Sequence, residues 1–146
     1  MNEKEKTVLL SVPNISGNEL KYVKECLETG WISSAGSFVD KFEQMVADYA
    51  GAKYGIATMN GTAALHIALL LAGVKPKDYV IVSNMTFVAS ANSIKYTGAD
   101  PILIDADPKT WQMDLDLLDE FLDNKTSINS EGERILISDG RCVKTI

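Results

Sequence analysis

The residue types best suited to chemistry sit in Met59-Asn60-Gly61-Thr62-Ala63-Ala64, between a short apolar run and a strong helix former. Gly61 lets a ligand approach the backbone closely. The first N–H groups of a helix are unpaired, and the helix dipole favours an anion there. With the Thr62 hydroxyl as a further donor, this is a candidate phosphate cradle. It lacks the lysine and most of the glycines of a Walker loop, and it is not the dinucleotide fingerprint. Simple capping by Asn60 or Thr62 uses the same residues and stays open.

Asn84-Met85-Thr86-Phe87 follows the next apolar run. Phe87 offers a flat face to an aromatic ligand; the competing reading has Thr86 capping a helix with Phe87 packed beneath it. Asp105 and Asp107 close a third run. Residues two apart on a strand point to opposite faces, so they imply no acid–base dyad. Asp107 before Pro108 reads as a turn or cap residue, and Asp105 as the better ligand candidate. The loop Gly30-Trp31-Ile32-Ser33-Ser34-Ala35-Gly36 carries hydroxyls and an indole suited to a polar ring compound, or it is a plain helix connection with Trp31 anchored in the core. No serine–histidine–acid triad can be built, and none of Lys53, Lys75, Lys77 and Lys95 has a strand-end setting that marks a nucleophile. The single histidine, His66, falls in an apolar helical run, so no metal site is expected. Cys26 and Cys142 read as free thiols.

Positioning these residues requires alternating elements. Ser16-Gly17-Asn18-Glu19 fits a capping box. Leu20, Val23 and Leu27 then give a helical stripe that stops at Gly30. Phe38, Phe42, Met45 and Tyr49 give a second stripe that stops at Gly51. Tyr54–Met59, Tyr79–Val82 and Pro101–Asp105 read as strands, and Ala63–Ala72, Phe87–Tyr96 and Leu115–Leu122 as helices. Strands alternating with helices imply right-handed β-α-β units on a parallel sheet. Continuous apolar runs imply a sheet covered on both faces. Ligands in such sheets bind at the carboxyl edge. Asn124 to Gly132 reads as a polar surface excursion. Arg134–Ser138 and Cys142–Ile146 read as a hairpin about Asp139-Gly140. The last run stops as it begins, which reads as a truncated fold.

With 20 acidic and 14 basic residues the formal charge is −6, which argues against nucleic acid. The charged first residues lack the core of a signal peptide, and no apolar run suits a bilayer, so a cytoplasmic protein with no membrane partner is expected. Residues 1–12 read as a leader or arm, with Val8–Val12 a short strand or extended arm. Residues 13–146 read as one partial domain.

Together these motifs resemble the start of a DegT-type pyridoxal-phosphate-dependent sugar aminotransferase. The similarity runs from about Val12 to Ile146. It is strongest in Gly30–Gly36, the Phe38–Tyr49 helix, Asn60-Gly61-Thr62-Ala63-Ala64-Leu65 and Thr86-Phe87-Val88-Ala89-Ser90-Ala91-Asn92, and it includes Trp111 and Asp114. The segment Leu10-Ser11-Val12-Pro13-Asn14-Ile15-Ser16-Gly17-Asn18-Glu19 and the insertion after Leu122 are similar to the legionaminic acid branch, within cell-surface polysaccharide biosynthesis.

The resemblance implies an α/β fold, an incomplete three-layer sandwich with a mostly parallel sheet, the N-terminal part of a fold-type-I large domain. It implies pyridoxal 5'-phosphate as cofactor, a nucleotide-linked keto sugar as acceptor, glutamate as amino donor and a homodimer. Gly61, Thr62 and Ala63 would bind the cofactor phosphate and Phe87 would stack on its ring. Trp31, Ile32, Ser33 and Ser34 would lie near the sugar nucleotide. The Schiff-base lysine and the acid that pairs with the pyridine nitrogen are expected beyond Ile146. Lys144 matches neither, so the fragment alone is expected to be inactive. The alternatives are a non-catalytic binding protein of the same fold, a sugar dehydratase relative, or a structural domain whose motifs are only caps.

Overall fold

The computed structural model describes residues 8, 9 and 11–146 and divides the chain into two units, Met1–Ala57 and Thr58–Ile146. Residues 1–7 and Leu10 lie outside the described residues, and with them the leader. Val8, Leu9, Ser11 and Val12 belong to no strand.

In the first unit, helix α1 spans Glu19–Thr29 and α2 spans Ser37–Ala50. Both stop at a glycine in the left-handed conformation, Gly30 at φ 76° and Gly51 at φ 65°. A side chain with a Cβ adopts that conformation only at a cost. The Tyr22 and Phe38 rings meet at 5.2 Å. The capping box does not form as expected. Asn18 precedes the helix without a side-chain cap, and the Glu19 carboxylate accepts from Gly17 N–H at 2.9 Å. Because Glu19 is itself the first helical residue, its carboxylate reaches back only two positions. Tyr54–Met59 is not a strand, because nothing among the described residues pairs with it. It is held instead by the Glu43 carboxylate, which accepts from Ala57 N–H at 2.7 Å.

The second unit begins with α3, Gly61–Leu71, followed by β1 (Tyr79–Ser83), α4 (Val88–Tyr96), β2 (Asp100–Ile104) and α5 (Leu115–Lys125). Three short strands follow, β3 (Thr126–Ile128), β4 (Arg134–Leu136) and β5 (Val143–Thr145). The main sheet has the order β2-β1-β5 and is parallel, with Tyr79 opposite Asp100 and Ser83 opposite Ile104. Adjacent β1 residues feed opposite faces. Val80 packs with Val74, Ile94 and Ala99 under the α3–α4 layer. Ile81 packs with Ile104, Leu118 and Val143 against α5. Helix, sheet and helix therefore form three layers, and each of the valine, isoleucine and leucine side chains contributes about 1.5–3 kcal/mol on burial.

The C-terminal hairpin differs from expectation. β4 pairs antiparallel with β3, inside the stretch that reads as a polar excursion, and β5 leaves to pair with β1. Of the expected pairing only the bridge Ile135–Cys142 remains. Burial explains the choice. In the sheet Val143 is only 7% exposed, and a surface hairpin would forgo that apolar contact. β3 is hidden in the sequence because its buried residue is Thr126. Its hydroxyl donates to Leu122 O at 2.5 Å and accepts from Arg134 at 2.6 Å, which removes the penalty of burying it.

Candidate functional site

The connections that leave α3 and α4 meet at one edge of the sheet, where Lys77 N–H donates to Gly98 O at 2.9 Å and Asp100 N–H to Asp78 O at 2.9 Å. These are the amino ends of β1 and β2. The N-termini of both helices therefore lie toward the carboxyl edge, and Gly61, Thr62, Ala63 and Phe87 share that edge, as open α/β sheets arrange a ligand site.

At the front of α3, Asn60 is extended (φ −164°, ψ 171°), and its side chain accepts from Ala63 N–H at 2.9 Å. Its carbonyl accepts from Ala64 N–H at 3.1 Å and from the Thr58 hydroxyl at 3.0 Å. The capping alternative is thus realised by Asn60, not Thr62. Two donors remain, because the N–H groups of Gly61 and Thr62 have no partner among the described residues. Gly61 has an ordinary φ, and a Cβ built on it meets nothing within 4 Å. Neither its backbone conformation nor a neighbour among the described residues calls for glycine here. Unpaired N–H groups at a helix front, with no Cβ on Gly61 to screen them, suit the close approach of an anion.

Phe87 stands at the N-cap of α4 without a side-chain cap and is 78% exposed. It does not pack under the helix. Thr86 instead pairs its hydroxyl with that of Ser90 at 3.1 Å. Asn84 N–H donates to Ile104 O at 2.8 Å and carries the ladder up to this turn. Ser83, the last residue of β1, has a buried hydroxyl oxygen with no partner among the described residues, a feature that sequence reasoning did not single out. An orphan of this kind costs about 1–3 kcal/mol.

Trp31, Ile32, Ser33 and Ser34 belong to the first unit and are all exposed. Trp31 is 60% exposed, so it is not the core anchor of the plainer reading; it lies over Gly36, where a Cβ would come within 3.5 Å of its own Cβ. The Asp107 carboxylate accepts from the N–H groups of Lys109 and Thr110, both at 2.8 Å, and these bonds hold it below the usual carboxylate range. It is the turn residue expected. The Asp105 carboxylate accepts from Ala106 N–H at 2.9 Å, and its carbonyl accepts from Asp114 N–H at 2.9 Å. His66 meets Tyr96 edge-on at 5.8 Å between α3 and α4, a packing role. Lys95 is paired with Asp100 at 2.6 Å, and Lys53 lies over the Tyr54 ring at 5.1 Å.

A second polar cluster lies at the opposite, amino edge. Arg141 donates to Lys77 O (2.6 Å), Tyr79 Oη (2.9 Å) and Asp100 Oδ2 (2.5 Å), with its guanidinium 3.9 Å from the centre of the Tyr79 ring. Tyr79 in turn donates to Asp139 at 2.9 Å, which pushes its phenol up. Sequence offered no signal for this cluster, because its members come from three separate segments.

Comparison with known proteins places these features in context. The DegT/DnrJ/EryC1/StrS aminotransferase family matches residues 13–136. A GDP-perosamine synthase from Caulobacter vibrioides is 47% identical over 119 residues, covering 82% of this chain and 32% of that protein. The spore coat polysaccharide biosynthesis protein SpsC of Bacillus subtilis is 43% identical over 104 residues, 71% of this chain and 26% of its own. Among solved structures, Spr1654 from Streptococcus pneumoniae in its PLP form superposes with a TM-score of 0.70 at 33% identity, covering 79% of this chain and 29% of that one. The chain spans about a third of the length of the curated relatives it matches.

Proposed function

Because the chain belongs to the DegT/DnrJ/EryC1/StrS aminotransferase family, we propose that the full-length protein transfers an amino group to a nucleotide-linked keto sugar with pyridoxal 5'-phosphate as cofactor. The observation that carries this reading is the pair of unpaired N–H groups at Gly61 and Thr62, on the same sheet edge as the bare Phe87 ring. The residues fit the cofactor: an open space before a glycine suits a phosphate, and an exposed aromatic face suits a pyridine ring.

In this reading Gly61 and Thr62 hold the phosphate through their N–H groups and the Thr62 hydroxyl. Ala63 completes the cradle backbone. Phe87 stacks on the ring and fixes its plane. Trp31, Ile32, Ser33 and Ser34 present exposed hydrogen-bonding and stacking groups for the sugar nucleotide. Pyridoxal phosphate supplies the electron sink for moving the amine, while the protein supplies orientation and proton handling. A GDP-sugar enzyme and a polysaccharide-pathway protein among the relatives support the substrate class.

The finer reading takes glutamate as donor, a homodimer in the cytoplasm, and the legionaminic acid branch. The branch is supported by the Leu10–Glu19 segment and by the insertion after Leu122, which contains the β3–β4 hairpin. No helix among the described residues is long and apolar enough to cross a membrane.

The test is an assay of the full-length protein with pyridoxal phosphate, glutamate and GDP- or UDP-linked keto sugars. Formation of 2-oxoglutarate that requires both protein and sugar is expected. Glutamate left unconsumed with every sugar, in protein loaded with cofactor, would remove the proposed donor and acceptor.

A further inference from the structure

Asn60 is more than a stop signal for α3. Of the four N–H groups at the front of the helix, it takes two: Ala63 N–H through its side chain at 2.9 Å and Ala64 N–H through its carbonyl at 3.1 Å. The two it leaves are Gly61 and Thr62, and a Cβ built on Gly61 meets no described atom within 4 Å. The residue is held from behind, since the Thr58 hydroxyl donates to the same carbonyl at 3.0 Å.

We propose that Asn60 is a positioning residue for the phosphate group: it fixes which two backbone donors face the anion, and it does so with a neutral side chain. This rests on the cofactor reading above. A helix N-terminus shares roughly half a positive charge among the ligands in its first turn. A carboxamide at Ala63 leaves that field to the incoming phosphate. A carboxylate in the same place would cap equally well and compete for it, because aspartate, asparagine and serine are nearly equivalent N-caps. Capping and anion binding therefore come apart at this position.

The experiment compares the wild-type full-length protein with Asn60→Asp and Asn60→Ser. Thermal unfolding is recorded without cofactor, and pyridoxal phosphate and pyridoxal are titrated separately by absorbance. Expected are unfolding temperatures for both variants close to wild type and an Asn60→Asp affinity for pyridoxal phosphate lower by about tenfold or more. Asn60→Ser should stay near wild type, and pyridoxal, which lacks the phosphate, should bind all three alike. If Asn60→Asp binds pyridoxal phosphate as wild type does, or if Asn60→Ser loses as much as Asn60→Asp, the positioning role is overturned. If wild type itself shows no preference for pyridoxal phosphate over pyridoxal, the phosphate cradle fails first, whatever Asn60 does.

Discussion

The Arg141 guanidinium lies 2.5 Å from the Asp100 carboxylate, and this contact ties the segment leading into β5 to the first residue of β2 across the start of β1. The β1–β5 ladder is short and shifts register between Tyr79 and Val80, so side chains share the task of seating β5. Tyr79 N–H donates to Cys142 O at 2.7 Å and reports on that seat. In Arg141→Ala, hydrogen exchange at Tyr79 should accelerate while Asn84 N–H, bonded to Ile104 O at the far end of the β1–β2 ladder, stays protected. Arg141→Lys should rescue only in part, since one ammonium cannot reproduce the fork. Unchanged exchange at Tyr79 would show that the backbone ladder suffices.

Acid should loosen the same corner. The hydrogen bond from Lys95, and then that from Arg141, holds the Asp100 carboxyl below the usual carboxylate range. A depressed folded value means the folded state binds fewer protons than the unfolded one. The stabilisation is therefore complete above the unfolded value of about 3.9 and disappears as pH falls through the folded one. Unfolding temperatures measured from pH 7 down to pH 3 should fall more steeply for wild type than for Asp100→Asn, which starts lower at neutral pH. Parallel curves would remove Asp100 from the acid response.

Gly55 faces a different constraint. A Cβ there would run into the Glu43 backbone, in the segment tied to α2 through Ala57. Gly55→Ala should destabilise by about 1–3 kcal/mol as an overpacking change, read by chemical denaturation. A neutral substitution would mean that the segment shifts freely away from α2.

Ile81 is 2% exposed and packs on the α5 side of the sheet. Ile81→Ala should cost about 2–5 kcal/mol. Leu71→Ala, at an 84% exposed position among the described residues, should cost little unless the rest of the full-length protein covers that face. Equal costs would therefore reveal a cover on α3.

These cases show why some of the structure was legible in sequence. Gly30 and Gly51 end helices by local conformation, and the apolar runs of β1 and β2 need two covered faces; both are written in neighbouring residues. The α/β order followed from that. What escaped depends on distant partners. Tyr54–Met59 has strand-like letters but no ladder partner here. β5 chose β1 over a local hairpin because of Val143 burial. Thr126 could be buried only because Leu122 and Arg134 satisfy it. The Arg141 cluster joins residues up to 64 positions apart, which no spacing rule detects. At the front of α3, only geometry showed that Asn60 occupies Ala63 N–H.

The proposed cradle is tested most directly at Gly61, where added side-chain atoms would fill space that no described residue occupies. Equilibrium titration of the full-length Gly61→Val protein with pyridoxal phosphate should give a dissociation constant at least about tenfold above wild type, a change of about 1.4 kcal/mol, with the fold intact by circular dichroism. An unaltered constant in a folded protein would mean that the phosphate does not sit against the front of α3.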